Sequence, residues 1–237
     1  NKKIWNLGEI ENYEDEIICY LKYKSNDLEE GYPGNLECST KYIFNNQNEL
    51  IIEFKATTDF ETIVNLTNHN YWNFHGHNNY YNNIADHTVK LHSNSFYETD
   101  KYFIPTGRIV SSDNTKFDFQ KNRIIDEQIL SDGGIDTFYI LDSNNTSIKK
   151  AATVYSNKTK MGMDIFCDKP GIVFYTGNMM NTSYLGKYNK NYGTQYGLCL
   201  EPQFLTDSKN EENFQNLKLS PEDAYQSKIH IKLANDF

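Results

Sequence analysis

The sequence predicts an all-β fold, a sandwich or barrel, from three observations. Apolar and polar residues alternate with period two in many short runs. Gly, Pro, Asn and Asp punctuate those runs, as in Tyr32-Pro33-Gly34, Pro105-Thr106-Gly107, Asp132-Gly133-Gly134 and Lys169-Pro170-Gly171. A sustained 3.6-residue period of helical length is hard to find; only residues 124–130 suit a turn or two of helix. The 237 residues are enough for a substantial core. Hydrophobic residues make up 38%, but 18 Tyr and 14 Phe bring the large burial areas that separate a folded chain from a disordered one.

Taken in order, the first clear element is a hairpin. Leu36, Cys38, Thr40, Tyr42 and Phe44 interleave with Glu37, Ser39 and Lys41; residues 45–48 turn the chain, and Leu50, Ile52, Phe54 and Ala56 alternate with Ile51, Glu53 and Lys55. One face is apolar and the other mostly polar. Strand-like runs follow at residues 63–69, 137–141, 151–156, 161–167, 172–176, 197–201 and 229–233, and His87 and His92 flank another. The registers place Ile52, Phe54, Val64, Leu66, Leu198 and Leu200 in the core. With no internal repeat and no Pro-, Gly- or Ser-rich linker, residues 1–237 read as one domain. Residues 73–86 and 178–195 read as long surface loops; Asn pairs such as Asn78-Asn79, Asn82-Asn83 and Asn144-Asn145 recur in the chain.

Charge and cysteine usage exclude several classes of function. With 23 Lys and Arg against 32 Asp and Glu, the net charge is −9, and no basic stripe offers a nucleic acid a footing. No apolar run approaches the ~18–20 residues of a membrane span. No apolar segment follows Lys2 and Lys3, so the start does not read as a signal peptide. Cys19, Cys38, Cys167 and Cys199 stand singly, without C-x-x-C; Cys38 and Cys199 read as small core residues. The expectation is reduced cysteines in a cytoplasmic protein, with the Asn-x-Ser/Thr matches left unglycosylated.

The titratable residues divide into weak and strong candidates. His230 shares a strand face with Lys232 and reads as solvated, while His75-Gly76-His77 is a weak metal motif without an acidic partner. His69 ends a run in which Asn65, Thr67 and His69 share one face and lead into Tyr71-Trp72-Asn73-Phe74. A polar row beside aromatic rings suits the floor of a pocket for a polyhydroxylated ligand, rings covering C–H patches and amides and imidazoles meeting hydroxyls. A hydrogen-bonded structural histidine is the alternative. Glu201 stands in the apolar run Gly197-Leu198-Cys199-Leu200-Glu201-Pro202, and Pro202 marks a strand end or sheet edge. Desolvation there would raise its pKa toward that of a useful general base; an edge glutamate facing water is the alternative. Asp136 sits at a loop-to-strand junction where ligand binding and turn duty are both open.

Together these segments resemble the aldose 1-epimerase (galactose mutarotase) family. Asn65-Leu66-Thr67-Asn68-His69-Asn70-Tyr71-Trp72-Asn73-Phe74 is close to that family's signature Asn-Leu-Thr-Asn-His-x-Tyr-Phe-Asn-Leu. Around it, in the family's order, stand Glu30-Gly31-Tyr32-Pro33-Gly34, Ile104-Pro105-Thr106-Gly107, Gly134-Ile135-Asp136, Phe174-Tyr175-Thr176-Gly177-Asn178 and Cys199-Leu200-Glu201-Pro202-Gln203. The resemblance covers essentially the whole chain. It implies a large antiparallel β-sandwich and a cofactor-free, metal-free interconversion of the α and β anomers of a hexose such as galactose or glucose. By the same resemblance His69 is the general acid, Glu201 the general base and Asp136 a sugar-hydroxyl ligand, with Asn70 and Tyr71 in the segment lining the pocket.

Two departures follow from the resemblance. Family members carry a further N-terminal segment with an Arg and a second His that bind the sugar; the expectation is a fragment or truncated relative, with sheet edges or apolar surface left uncovered. Val173 stands where the family often has Gln, and losing that amide would cost about 1–3 kcal/mol if its ligand partner stays unpaired. A non-catalytic sugar-binding or sensing protein on the same fold is therefore the alternative function. A phosphosugar enzyme would want arginines at the pocket, and Arg108 and Arg123 fall in none of the matched pocket motifs.

Overall fold

The computed structural model describes residues 2–77, 83–142, 147–180, 185–206 and 215–236. Its strands are β1 (Asn6–Asn12), β2 (Glu16–Ser25), β3 (Leu36–Asn45), β4 (Glu49–Thr58), β5 (Thr62–Ile63), β6 (His87–Leu91), β7 (Ser95–Thr99), β8 (Pro105–Ser111) and β9 (Arg123–Ile124). After one short helix, α1 (Glu127–Ser131), come β10 (Asp136–Ile140), β11 (Lys149–Ser156), β12 (Gly162–Cys167), β13 (Gly171–Tyr175), β14 (Cys199–Gln203), β15 (Lys218–Leu219) and β16 (Tyr225–Ala234). A nine-stranded sheet runs β1-β2-β3-β4-β16-β12-β11-β6-β9, a five-stranded sheet runs β14-β13-β10-β7-β8, and β15 pairs with β5. Every pairing between these strands is antiparallel.

Period-two alternation explains how the two large sheets meet. On the nine-stranded sheet Ile52 and Phe54 of β4, Ile229 and Ile231 of β16, and Met163 and Ile165 of β12 are all buried. They share one cluster with Tyr139 of β10, Ile172 and Phe174 of β13, and Leu200 of β14 from the five-stranded sheet. The residues between those, Val173 and Tyr175 on β13 and Cys199 and Glu201 on β14, therefore point to the opposite face. Of the six positions expected in the core, Ile52, Phe54, Val64, Leu198 and Leu200 are buried; Leu66 is only half-buried, packed at the edge of the clusters.

Three local expectations need correction. The run at residues 63–69 is a strand only at Thr62–Ile63, because beyond Val64 the chain exchanges ladder bonds for side-chain bonds. Asn65 donates to the Phe204 carbonyl and accepts from its N–H, and the Tyr225 hydroxyl bonds both the N–H and the carbonyl of Leu66. The helix begins later than residue 124: Ile124 belongs to β9, and Asp126 caps α1 by accepting from the Ile129 N–H at 2.8 Å. His230 is not solvated but half-buried, with Nε2 3.3 Å from a Glu49 carboxylate that also meets Lys232. Strands β1 and β2, unread in the sequence, extend the sheet on one side. There β1 is the sheet edge, and Leu7, Ile10 and Ile17 are exposed. The four cysteines are free, three of them buried. Parts of the two expected loops (residues 78–82 and 181–184), and Asn144 and Asn145, lie outside the described residues.

Candidate active site

The site begins with a register. Trp72 and Leu198 exchange two backbone hydrogen bonds, 2.8 and 2.9 Å, as an isolated antiparallel bridge. Antiparallel counting from that bridge sets Tyr71 opposite Cys199, Asn70 opposite Leu200 and His69 opposite Glu201. Alternation then sends His69 and Tyr71 to the face of Cys199 and Glu201, while Asn70 follows Leu200 the other way. The side chains obey it: His69 Nδ1 lies 3.4 Å from Glu201 Oε1. The Tyr71 ring stacks on the His69 imidazole at 5.0 Å and 14°.

The neighbouring strands complete the cleft by the same rule. Val173 pairs directly with Glu201, Tyr175 with Cys199 and Asp136 with Tyr175, so all five project from one face of β10, β13 and β14. His69, Tyr71, Asp136, Val173, Tyr175 and Glu201, with Met179 and Met180, line a cleft of about 340 Å³. That volume falls within the range of small-ligand pockets, about 300–1,000 Å³. His69, Tyr71, Asp136 and Glu201, drawn from distant parts of the sequence, thus converge. Asn70 does not: it is half-buried and absent from the lining. The polar row also serves differently from the expected pocket floor, since Asn65 is committed to Phe204 and only His69 of that row reaches the cleft.

Asp136 is aimed by an interlock. The Thr176 hydroxyl accepts from the Ile135 N–H at 2.7 Å, and the Asn178 amide donates to the Ile135 carbonyl at 3.0 Å. Gly134 makes this approach possible, with φ +66° and Thr176 and Asn178 where a Cβ would stand. Gly134→Ala is accordingly expected to destabilise the fold by about 2–3 kcal/mol, readable as a lower urea midpoint. An unchanged midpoint would mean the interlock yields without cost. The far end of the His69 segment is held by a second device that the sequence did not disclose. Lys169 is 3% exposed, and its Nζ sits 4.5 Å from the ring centres of both Phe204 and Tyr225. Burial lowers its pKa to about 8.

The electrostatics separate the two carboxylates from ordinary surface groups. Burial, then the nearby Asp136 charge, pushes Glu201 up to about 7. Burial also raises Asp136, with His69 opposing it. Glu201 is 8% exposed, so it is not an edge glutamate facing water, although β14 is the sheet edge that Pro202 signals. Cys199, read from the sequence as a core residue, is fully buried, and its two-residue spacing puts it on the same side of β14 as Glu201. The pair His75 and His77 are engaged apart, one ring against His87 at 4.2 Å, the other bonded to the Tyr192 hydroxyl at 2.8 Å. Neither arginine is at the cleft. Arg108 pairs with Glu98, and Arg123 donates to the carbonyls of Thr115, Lys116 and Asp118.

Residues 1–232 match the family model described as aldose 1-epimerase. The chain is 32% identical over 212 residues to the galactose mutarotase of Bos taurus, a match covering 89% of this chain and 61% of that protein. It is 29% identical over 216 residues to the aldose 1-epimerase of Escherichia coli K12, covering 89% and 60%. The chain thus spans about 60% of the length of these relatives. An aldose epimerase homologue from C. elegans superimposes with a TM-score of 0.84 at 26% identity, over 98% of this chain and 69% of that one. Galactose 1-epimerase from Lactobacillus acidophilus NCFM shares the fold, with a TM-score of 0.81 at 24% identity. Since the family match runs through almost the whole sequence, the chain belongs to the aldose 1-epimerase family.

Proposed function

We propose that this chain interconverts the α and β anomers of an aldohexose, galactose or glucose, by acid–base ring opening and reclosure. The observation that carries the reading is the pairing of His69 with a buried Glu201, 3.4 Å apart in a cleft of about 340 Å³. Glu201, as carboxylate, takes the proton from the anomeric hydroxyl. The His69 imidazolium delivers one to the ring oxygen, through Nε2, the nitrogen not engaged by Glu201. The C1–O5 bond breaks, the aldehyde turns about C1–C2, and reclosure on the other face runs the two transfers in reverse. Both oxygens belong to one carbon, so an acid and base that are near neighbours suit the task. Asp136 accepts from a sugar hydroxyl, and the Tyr71 and Tyr175 rings cover C–H patches. In this reading residues 1–237 work as one sandwich unit on a small free sugar, in the cytoplasm, where free cysteines stay reduced.

Fresh α-galactose followed by polarimetry or NMR tests this directly: the 237-residue chain is expected to speed anomer exchange. Binding without faster exchange would make it a non-catalytic sugar-binding protein instead. The pH profile is specific. Because the base must be ionised, kcat/KM is expected to rise with pH through about 7. Asp136→Asn removes a charge that raises Glu201, so the rising limb is expected to move to lower pH even as sugar binding weakens. A limb left in place would separate Asp136 from the base.

A further inference from the structure

We propose that the cleft is also an inhibitory site for a soft divalent cation such as zinc, held by His69 Nδ1, Cys199 Sγ and a Glu201 carboxylate oxygen. One donor atom from each of the three residues lies within 4.8 Å of the others, and His69 Nδ1 is 3.4 Å from Glu201 Oε1. Ligands ~2.0–2.3 Å from a tetrahedral zinc stand about 3.3–3.8 Å apart, so the set closes on an ion with adjustments of about an ångström. The placement is structural: Cys199 and Glu201 are two residues apart on one strand, and His69 lies across from Glu201 by the register of the Trp72–Leu198 bridge. Cys199 and Glu201 are buried, which fixes their positions, while the His69 side chain is half exposed and leaves the fourth position open to the cleft.

The donor set selects among cations. Imidazole, thiolate and carboxylate together suit zinc, whereas magnesium and calcium take all-oxygen sites. On binding, the Cys199 S–H bond breaks, its proton passes to solvent and a sulfur–metal bond forms; the neutral imidazole and the carboxylate coordinate through existing lone pairs. The cation then occupies both members of the acid–base pair, so metal and sugar exclude one another. That consequence rests on the epimerase reading; the binding does not.

Cobalt(II) added to the chelator-stripped 237-residue chain is the probe. A near-ultraviolet thiolate-to-cobalt charge-transfer band is expected, bleached by zinc and weakened by galactose. Cys199→Ser should abolish the band, and Cys199→Ser, Glu201→Gln and His69→Asn should each weaken zinc binding by about 10–100-fold or more. His69→Asn, at an exposed side chain, provides the test if circular dichroism shows that Cys199→Ser does not fold. Failure to bind zinc at ~1 mM, or equal affinity in wild type and all three variants, would overturn the site, the latter placing the ion on carboxylates elsewhere. Zinc is also expected to slow anomer exchange, with each variant compared with its own metal-free rate, and a chelator to restore it. A chain that binds zinc through these ligands but never speeds exchange would uphold the cation site and sink the epimerase reading; an active chain without cation binding would do the reverse.

Discussion

Glu201→Gln is expected to lower the rate of anomer exchange by about 10²-fold or more while making the folded chain more stable near pH 8. Glutamine keeps the volume and hydrogen bonding of the side chain but cannot accept the anomeric proton. The stability gain follows from linkage. Glu201 is raised from 4.5 to about 7 by burial and by Asp136, so the folded state holds a proton that the unfolded state releases. Its contribution is fully present below about pH 4.5 and is lost as pH rises through 7. Above that window the carboxylate is charged and poorly solvated, a cost of about 2 kcal/mol after screening by cleft water. The neutral amide does not bear it. Urea midpoints at about pH 5 and pH 8 should therefore diverge between wild type and variant, with the variant ahead at the higher pH. A wild-type exchange rate, or midpoints without this pH dependence, would return Glu201 to a purely structural carboxylate.

His69→Asn is expected to cost a similar ~10²-fold in exchange rate but to leave stability within about 0.5 kcal/mol. The His69 side chain is 52% exposed, and its main contacts are the Glu201 carboxylate and the face of the Tyr71 ring. Asparagine can hydrogen-bond in that place but cannot deliver a proton to the ring oxygen. The two variants thus lose activity alike and part in stability, a contrast set by burial. Equal destabilisation would show that His69 holds the segment before Tyr71 in place, a structural role. A wild-type rate would remove the acid from the mechanism.

The local sequence carried the strands and their faces because side-chain period is a property of consecutive residues. Ile172 and Phe174 against Val173 and Tyr175, or Leu198 and Leu200 against Cys199 and Glu201, are assigned to opposite faces by alternation alone. The signature around His69 and the run ending in Glu201 also single out these two residues, with Asp136, from sequence alone. Strands β1 and β2 escaped that reading: β1 has no buried face to impose an alternating pattern. The segment after Ile63 misled it, because its apolar–polar alternation served side-chain bonds from Asn65 and to Leu66, not a ladder.

What only the tertiary structure decided is register between segments far apart in the chain. One bridge, Trp72 to Leu198, turns two separate runs into a facing pair and so brings His69 to Glu201 and Tyr71 to Cys199, while turning Asn70 away. The environment that sets the carboxyl of Glu201 near 7 is likewise assembled from three strands, with Asp136 reaching it across β13. Alternation tells a residue which face it takes but not its neighbour across the sheet. That neighbour is chosen by the packing of the whole sandwich, and with it the chemistry of the cleft.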